Sequence, residues 1–262
     1  MTRGDSDAAL VVYSWLLFPV GRPTLAANTS ELFDHAEAVM ALSRNDPHFA
    51  RLVAKVGETQ LVLDECESPY ESLLEAVAYQ SISGKAAATI YARVKALGTN
   101  GCCPTPQEMV RIRSSALRKA GLSKAKAAAM KDLAKKTIEG IVPALEDARK
   151  ISDEELVERL ISVRGIGAWT VEMFLIFRLG RPDVLPIHDY GVQKGFALTY
   201  RKKAIPKPKE LAKFGDRWRP YRTLASWYMW RAVQLAGKNA RKITKKSVAG
   251  RTVKKKKKRA GG

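Results

Sequence analysis

The sequence predicts an all-α fold. Three observations carry that expectation. Helix-capping signatures recur along the chain, each followed by apolar residues at helical spacing. Strict apolar–polar alternation, the mark of a half-buried strand, is nearly absent. The turns between segments are short, with no Gly/Ser linker and no long repeat. With 262 residues, 46% of them hydrophobic, the chain has material for one or two compact units.

Taken in order, Ser30 is placed to cap a helix reaching about Arg44, and Asp46-Pro47 starts another reaching about Val56. Gln60 to Asp64 alternates briefly and reads as extended. Ser68-Pro69-Tyr70-Glu71 has the form of a capping box with proline at the first helical position, and the helix behind it runs to about Tyr79. Ser83-Gly84 opens an Ala-rich helix ending near Gly98. Asn100 to Pro106 reads as a loop, and a short helix ends at Gly121. Ser123 caps a helix to about Ile138 with Ala127, Met130, Leu133 and Ala134 on one face. Ser152 and Glu155 form another capping box ahead of a stripe of Leu156, Val157, Leu160 and Ile161. Ala168 to Leu179 is apolar nearly all round and should be buried. A further helix starts near Tyr190. Pro206 and Pro208 mark a loop, and Pro220 opens the last long helix, which closes at Gly237. This gives about ten short helices arranged as two lobes.

The formal charge is +20, from 46 Lys/Arg and 26 Asp/Glu. Residues 238–262 hold twelve Lys/Arg and no acid, which leaves about +8 on the rest. A solvated basic run accounts for the tail alone; the remaining charge points to a polyanionic partner without choosing among DNA, RNA and membrane. The tail is expected to be disordered. Its Lys254 to Arg259 run suits a nuclear signal in a eukaryote or a DNA-tethering arm in a bacterium. Cys66, Cys102 and Cys103 fit no zinc or iron–sulfur spacing and are too few for a disulfide framework, so an intracellular, reducing setting is expected. The apolar run Ala8 to Val20 is too short for a membrane span. Asp5 and Asp7 stand where a secretory signal carries positive charge, so residues 1–29 read as an extension packed on the body or a start codon placed too early.

The stretch from Leu160 to Lys194 is the most informative. Val163-Arg164-Gly165-Ile166-Gly167 joins two helical segments, making a helix–hairpin–helix. Gly165 and Gly167 permit positive φ and close approach of another backbone. The helix that follows starts with unpaired N–H groups and a positive dipole end, which suits a phosphate. An ordinary interhelical turn is the competing reading. Asp189 follows some twenty residues later, just before a helix start, where capping is the ordinary role for an Asp.

This arrangement resembles the helix–hairpin–helix DNA glycosylase superfamily, and is most similar to its 3-methyladenine DNA glycosylase II branch. Glu75 to Ala88, Ala120 to Ala134 and Trp218 to Arg231 match further family stretches in order, so the resemblance spans about Glu31 to Gly237. It implies two helical lobes with the active site in the cleft between them: lobe one from residues 30–67 and 185–237, lobe two from 68–184 with the hairpin at 163–167. It implies a monofunctional DNA N-glycosylase that flips and hydrolytically excises alkylated bases. The alternative is a non-catalytic helix–hairpin–helix DNA-binding protein.

By the same resemblance Asp189 is the catalytic acid, and the chemistry agrees. A departing base leaves positive charge on deoxyribose, which a carboxylate stabilises. His188 beside it reads as a supporting residue or a purely structural one. Bifunctional relatives carry a lysine two residues after the second hairpin glycine; Trp169 stands there, which argues against lyase chemistry. Trp169, Trp230 and Met173 map to the base pocket, where aromatic faces attract a cationic purine. Core packing competes for these aromatics, and for Trp227 and Tyr228. Val163, Arg164, Gly165, Ile166 and Gly167, with Gln80, Ser81, Ser83 and Lys85, are the DNA-contacting set. Some relatives place a bulky wedge near Ser81, so Gln80 and Ile82 become candidates for that role. The resemblance implies that backbone carbonyls of Ile161, Val163 and Ile166 hold a monovalent cation, K+ or Na+. No iron–sulfur cluster and no required cofactor are expected. The expected partner is double-stranded DNA with damaged bases, bound by a monomer in the bacterial cytoplasm or eukaryotic nucleus, with no membrane.

Overall fold

The computed structural model describes residues 34–237 apart from 60 and 65–67. The apolar run at 8–20, the Ser30 cap, Gln60, Cys66 and the basic tail lie outside those residues. Among the described residues regular structure is helical, with no strand. In chain order the helices are α1 (His35–Arg44), α2 (Pro47–Val56), α3 (Pro69–Tyr79), α4 (Gly84–Lys95), α5 (Pro106–Arg111), α6 (Ser114–Lys119), α7 (Lys124–Ile138), α8 (Leu145–Lys150), α9 (Asp153–Ile161), α10 (Ala168–Phe177), α11 (Tyr190–Thr199) and α12 (Pro208–Gly215), followed by α13 (222–237).

The chain divides into two units. Among the described residues the first comprises 62–184, and the second joins 34–61 to 185–237. In the first unit α3 packs against α4, α7 and α10, while α7 also carries α5 and α6. Leu73, Leu74, Val77, Met109, Leu117, Met130, Leu133, Leu156 and Leu160 are fully buried there. Ser123 accepts the Lys126 N–H at 3.2 Å and Ser152 the Glu155 N–H at 3.2 Å, so each hydroxyl satisfies one donor left over at its helix start.

In the second unit Asp46 caps α2 through the His48 and Phe49 N–H groups, both at 3.0 Å. Its other oxygen accepts the Tyr200 hydroxyl at 2.6 Å, which ties α2 to the end of α11. Tyr200 also joins Phe196, Phe214 and Trp218 in an aromatic cluster, with the Phe196–Phe214 and Tyr200–Phe214 centroids 4.7 and 4.6 Å apart. Burial pushes the Tyr200 phenol well above its ordinary range. The residue therefore stays a neutral donor to Asp46.

Several sequence expectations need correction. The helix ending at Arg44 starts at His35, not near Ser30, because Asp34 accepts the Ala36 and Glu37 N–H groups at 2.8 and 3.1 Å. Ser68 makes no side-chain cap; the start of α3 rests on Pro69, whose fixed φ suits the first helical position. The reciprocal capping box lies at Thr105 and Glu108 instead, so Pro106 opens α5 rather than closing a loop. Residues 61–64 form no strand, and the Asp64 N–H donates to the Phe177 carbonyl at 2.9 Å. Ile161 is 46% exposed, so α9 buries only Leu156 and Leu160 of its expected stripe. Pro208 starts α12, which the two prolines had masked, and α8 carried too short a pattern to be noticed. The last helix begins at residue 222, beyond a turn closed by the Tyr221 N–H on the Trp218 carbonyl at 2.7 Å. The two described cysteines are free thiols, and burial pushes Cys103 up to about 12.

Candidate active site

The carboxylate of Asp189 is held from two directions. It sits at the N-cap of α11, where Oδ1 accepts the Val192 N–H at 2.8 Å. The same oxygen accepts the indole N–H of Trp230 on α13, also at 2.8 Å. Asp189 is 4% exposed and Trp230 2% exposed. Capping therefore does not compete with a chemical role: two donors fix the plane of an acid that burial has removed from bulk water, where its field is less screened. The approach to Asp189 is fixed as well. Its own N–H donates to the Pro186 carbonyl at 3.0 Å, and the Gln193 amide donates to the Ile187 carbonyl at 2.7 Å. His188, next in sequence, is exposed, so its ring lies in a different environment from the acid.

Trp230 was placed by resemblance in the base pocket. Its indole nitrogen orients Asp189, a role no periodicity reports. Its neighbours also have defined partners. The Tyr228 hydroxyl donates to the Gly57 carbonyl at 3.1 Å, and Arg231 lies 4.6 Å over the Trp227 ring. Trp230→Phe keeps the ring and removes the donor. We expect a fall in the single-turnover rate of about tenfold or more with little change in DNA affinity, since one charge-assisted hydrogen bond is worth about 1.5–3 kcal/mol. An unchanged rate would show that the indole N–H does not position the acid.

The hairpin lies in the other unit, between α9 and α10. Gly165 has φ +77°, so the left-handed conformation expected there is present. Gly167 does not share it: its φ is −103°, open to any residue, and nothing lies within 4 Å of where a Cβ would stand. The hairpin is anchored to α7. Asp132 accepts the Arg164 N–H at 2.7 Å, and Lys136 donates to the Ser162 carbonyl while pairing with Asp132 at 3.1 Å. Burial works against the Asp132 charge, but the Arg164 N–H and Lys136 outweigh it and hold the carboxyl below its ordinary range. Neither anchor was picked out from the sequence, although Asp132 and Lys136 stand at i,i+4 on one helix.

Of the hairpin carbonyls, Val163 accepts the Ile166 N–H at 3.1 Å, which leaves a second lone pair on that oxygen. Val163 and Ile166 are buried; Arg164 and Gly165 are exposed. On α10, Met173 is 6% exposed and Trp169 half-buried, one turn apart on the same face. Ser81, Ser83 and Lys85 are exposed at the turn between α3 and α4, and Ser81 adopts φ +58°. Gln80 points away from that turn: its amide donates to the Gly165 carbonyl at 2.9 Å.

The family of HhH-GPD superfamily base excision DNA repair proteins matches residues 74–220. The DNA-3-methyladenine glycosylase 1 of Schizosaccharomyces pombe is 40% identical over 201 residues, covering 76% of this chain and 88% of that protein. The solved structure of the S. pombe 3-methyladenine DNA glycosylase in complex with abasic DNA superposes with a TM-score of 0.65 at 40% identity, over 74% of this chain and 95% of that one. A DNA-3-methyladenine glycosidase from Bacillus halodurans gives a TM-score of 0.67 at 33% identity, over 74% of this chain and 88% of that one.

Proposed function

This chain belongs to the HhH-GPD superfamily of base excision DNA repair proteins, and from that premise we propose that it is a monofunctional DNA N-glycosylase for alkylated bases of the 3-methyladenine and 7-methylguanine type. The observation that carries the reading is the buried Asp189 carboxylate, with Oδ1 fixed by the Val192 and Trp230 N–H donors. In the proposed reaction an alkylated purine, already cationic, departs as a neutral base. The bond between its nitrogen and C1′ breaks with the electron pair leaving on the base. Positive charge then develops on the sugar, where the carboxylate stabilises it, and water adds to C1′ and gives up one proton to solvent. The base must first leave the helical stack, at a cost of a few kcal/mol.

Trp169 and Met173 are the side chains of α10 assigned to the base, since an aromatic face attracts a cationic ring. Val163 to Gly167 grip the DNA backbone through N–H groups at the start of α10. Carbonyl oxygens at Ile161, Val163 and Ile166 are of the hard type that suits K+ or Na+, and such an ion would add positive charge facing a phosphate. No other cofactor is required, because water is the second reactant. The protein is assigned to double-stranded DNA inside the cell, in a bacterial cytoplasm or a eukaryotic nucleus, as a monomer. No described helix is long and apolar enough to cross a membrane.

The test is release of methylated bases from alkylated duplex DNA, with borohydride trapping run beside it. Free methylated purine and an abasic strand, without a covalent adduct, are expected. A borohydride adduct would overturn the monofunctional assignment. No release from any alkylated substrate would favour a DNA-binding protein without the chemistry.

A further inference from the structure

Ser81 is an exposed, non-glycine residue at φ +58°, a conformation that persists only when its surroundings over-determine it. The surroundings are visible. Lys126, on the first turn of α7, donates to the carbonyls of Ala78 at 2.8 Å and Gln80 at 2.7 Å. Its ammonium thus sits at the C-terminal end of α3, where the helix dipole favours a cation. The Gln80 side chain then runs on to the Gly165 carbonyl at 2.9 Å. The turn carrying Ser81 is therefore pinned from behind by one residue and joined to the hairpin by another. Asp132 and Lys136, about two and three turns further along α7 from Lys126, hold the hairpin itself. One helix braces two exposed turns at a fixed spacing.

We infer that Lys126 and Gln80 are positioning residues that lock the Ser81 turn to the hairpin, so that the grip on the DNA backbone places Ser81 against the base stack of the same duplex. The inference rests on the proposed reaction for its consequence. With the turn locked, the ordering of the loop is complete before DNA arrives, and binding at the hairpin is spent on opening the stack rather than on ordering protein. The Lys126 ammonium is held by the Ala78 and Gln80 carbonyls although partial burial pushes it below its ordinary range. A helix end needing only a cap would be served by a glycine.

Gln80→Ala and Lys126→Met remove the two ties separately, and Lys126→Arg keeps a cationic donor. Each is compared with the unaltered protein on two duplexes bearing one 7-methylguanine, either paired with cytosine or placed in an unpaired bulge. Unstacking costs least where pairing is already lost. Single-turnover excision from the paired lesion should fall about tenfold or more in both variants and by less than about threefold from the bulge, with Lys126→Arg near the unaltered rate. A second measurement needs no excision: 2-aminopurine beside an abasic site should brighten when the unaltered protein binds, and much less with either variant, at equal occupancy. Failure of the glycosylase reading would show as absent excision by the unaltered protein, with the fluorescence difference intact. Equal loss on paired and bulged lesions, unchanged fluorescence, or a Lys126→Arg variant as poor as Lys126→Met would overturn the positioning role.

Discussion

Asp189→Asn should remove base excision and leave the protein folded and bound to DNA. The geometry makes this separation sharp. An Asn side-chain oxygen in the same place still accepts the Val192 N–H and the Trp230 indole N–H, both at 2.8 Å in the native protein. Asn is as good an N-cap as Asp, so stability should change by no more than about 0.5 kcal/mol. What disappears is the negative charge facing the sugar as the base departs. Loss of one preorganised electrostatic contact in a buried site costs about 10²–10³ in rate, and a full charge should cost at least the upper figure. Single-turnover kinetics on a 7-methylguanine duplex measure the rate; binding to an abasic duplex and a melting curve measure the rest. Excision retained within about tenfold would end the assignment of Asp189. Asp189→Ala is the less informative change. It loses a cap worth about 1 kcal/mol and takes the acceptor from a buried indole N–H, a further cost of roughly 1–3 kcal/mol, so folding and chemistry would fall together.

What was legible in the sequence follows the range of the interactions involved. Local signals were read correctly where the cap and the residues capped are two or three apart: Asp46 before α2, Ser123 before α7 and Ser152 before α9. They were misread where two candidates competed within a few residues. Asp34 and Ser30 differ in no local preference, and Ser68 carries the capping-box spelling that Thr105 uses in fact. Pro208 was taken as a loop marker because proline opens helices as readily as it ends them. At the site, an Asp before a helix and glycines in a turn are ordinary taken singly, so Asp189 and the hairpin glycines stood out only through the order of motifs that carries the family resemblance. Their partners were not legible. Trp230 reaches Asp189 across 41 residues and Gln80 reaches Gly165 across 85. Contacts of that separation depend on packing, which a single sequence does not display. Gly167 shows the opposite error. A glycine invites the reading of positive φ, yet its backbone is one any residue adopts.

Gly195→Ala should damage both the fold and the site, because it strikes the contact that brings Asp189 and Trp230 together. Gly195 lies on α11, six residues beyond Asp189. A Cβ there would stand 2.0 Å from the Met229 carbonyl oxygen and 2.5 Å from its carbon. Those are backbone atoms of α13, so no side chain can swing aside and the two helices must part. Overpacking a core by one methyl costs roughly 1–3 kcal/mol, and a clash with backbone belongs at the top of that range or above it. Met229 is the neighbour of Trp230, so parting the helices lengthens the indole bond to Asp189. A displacement of about 1 Å at a reacting group costs on the order of 10² in rate. The folded fraction of Gly195→Ala should therefore excise slowly as well as being scarce. Gly167→Ala is the matched control, with φ −103° and open space around the new methyl, and should melt like the native protein. Thermal melting separates the two variants, and excision normalised to folded protein reads the second effect. If Gly195→Ala melts like the native protein, the close approach of α11 to α13 does not exist. If it melts early but its folded molecules excise at the native rate, the indole bond does not set the position of Asp189.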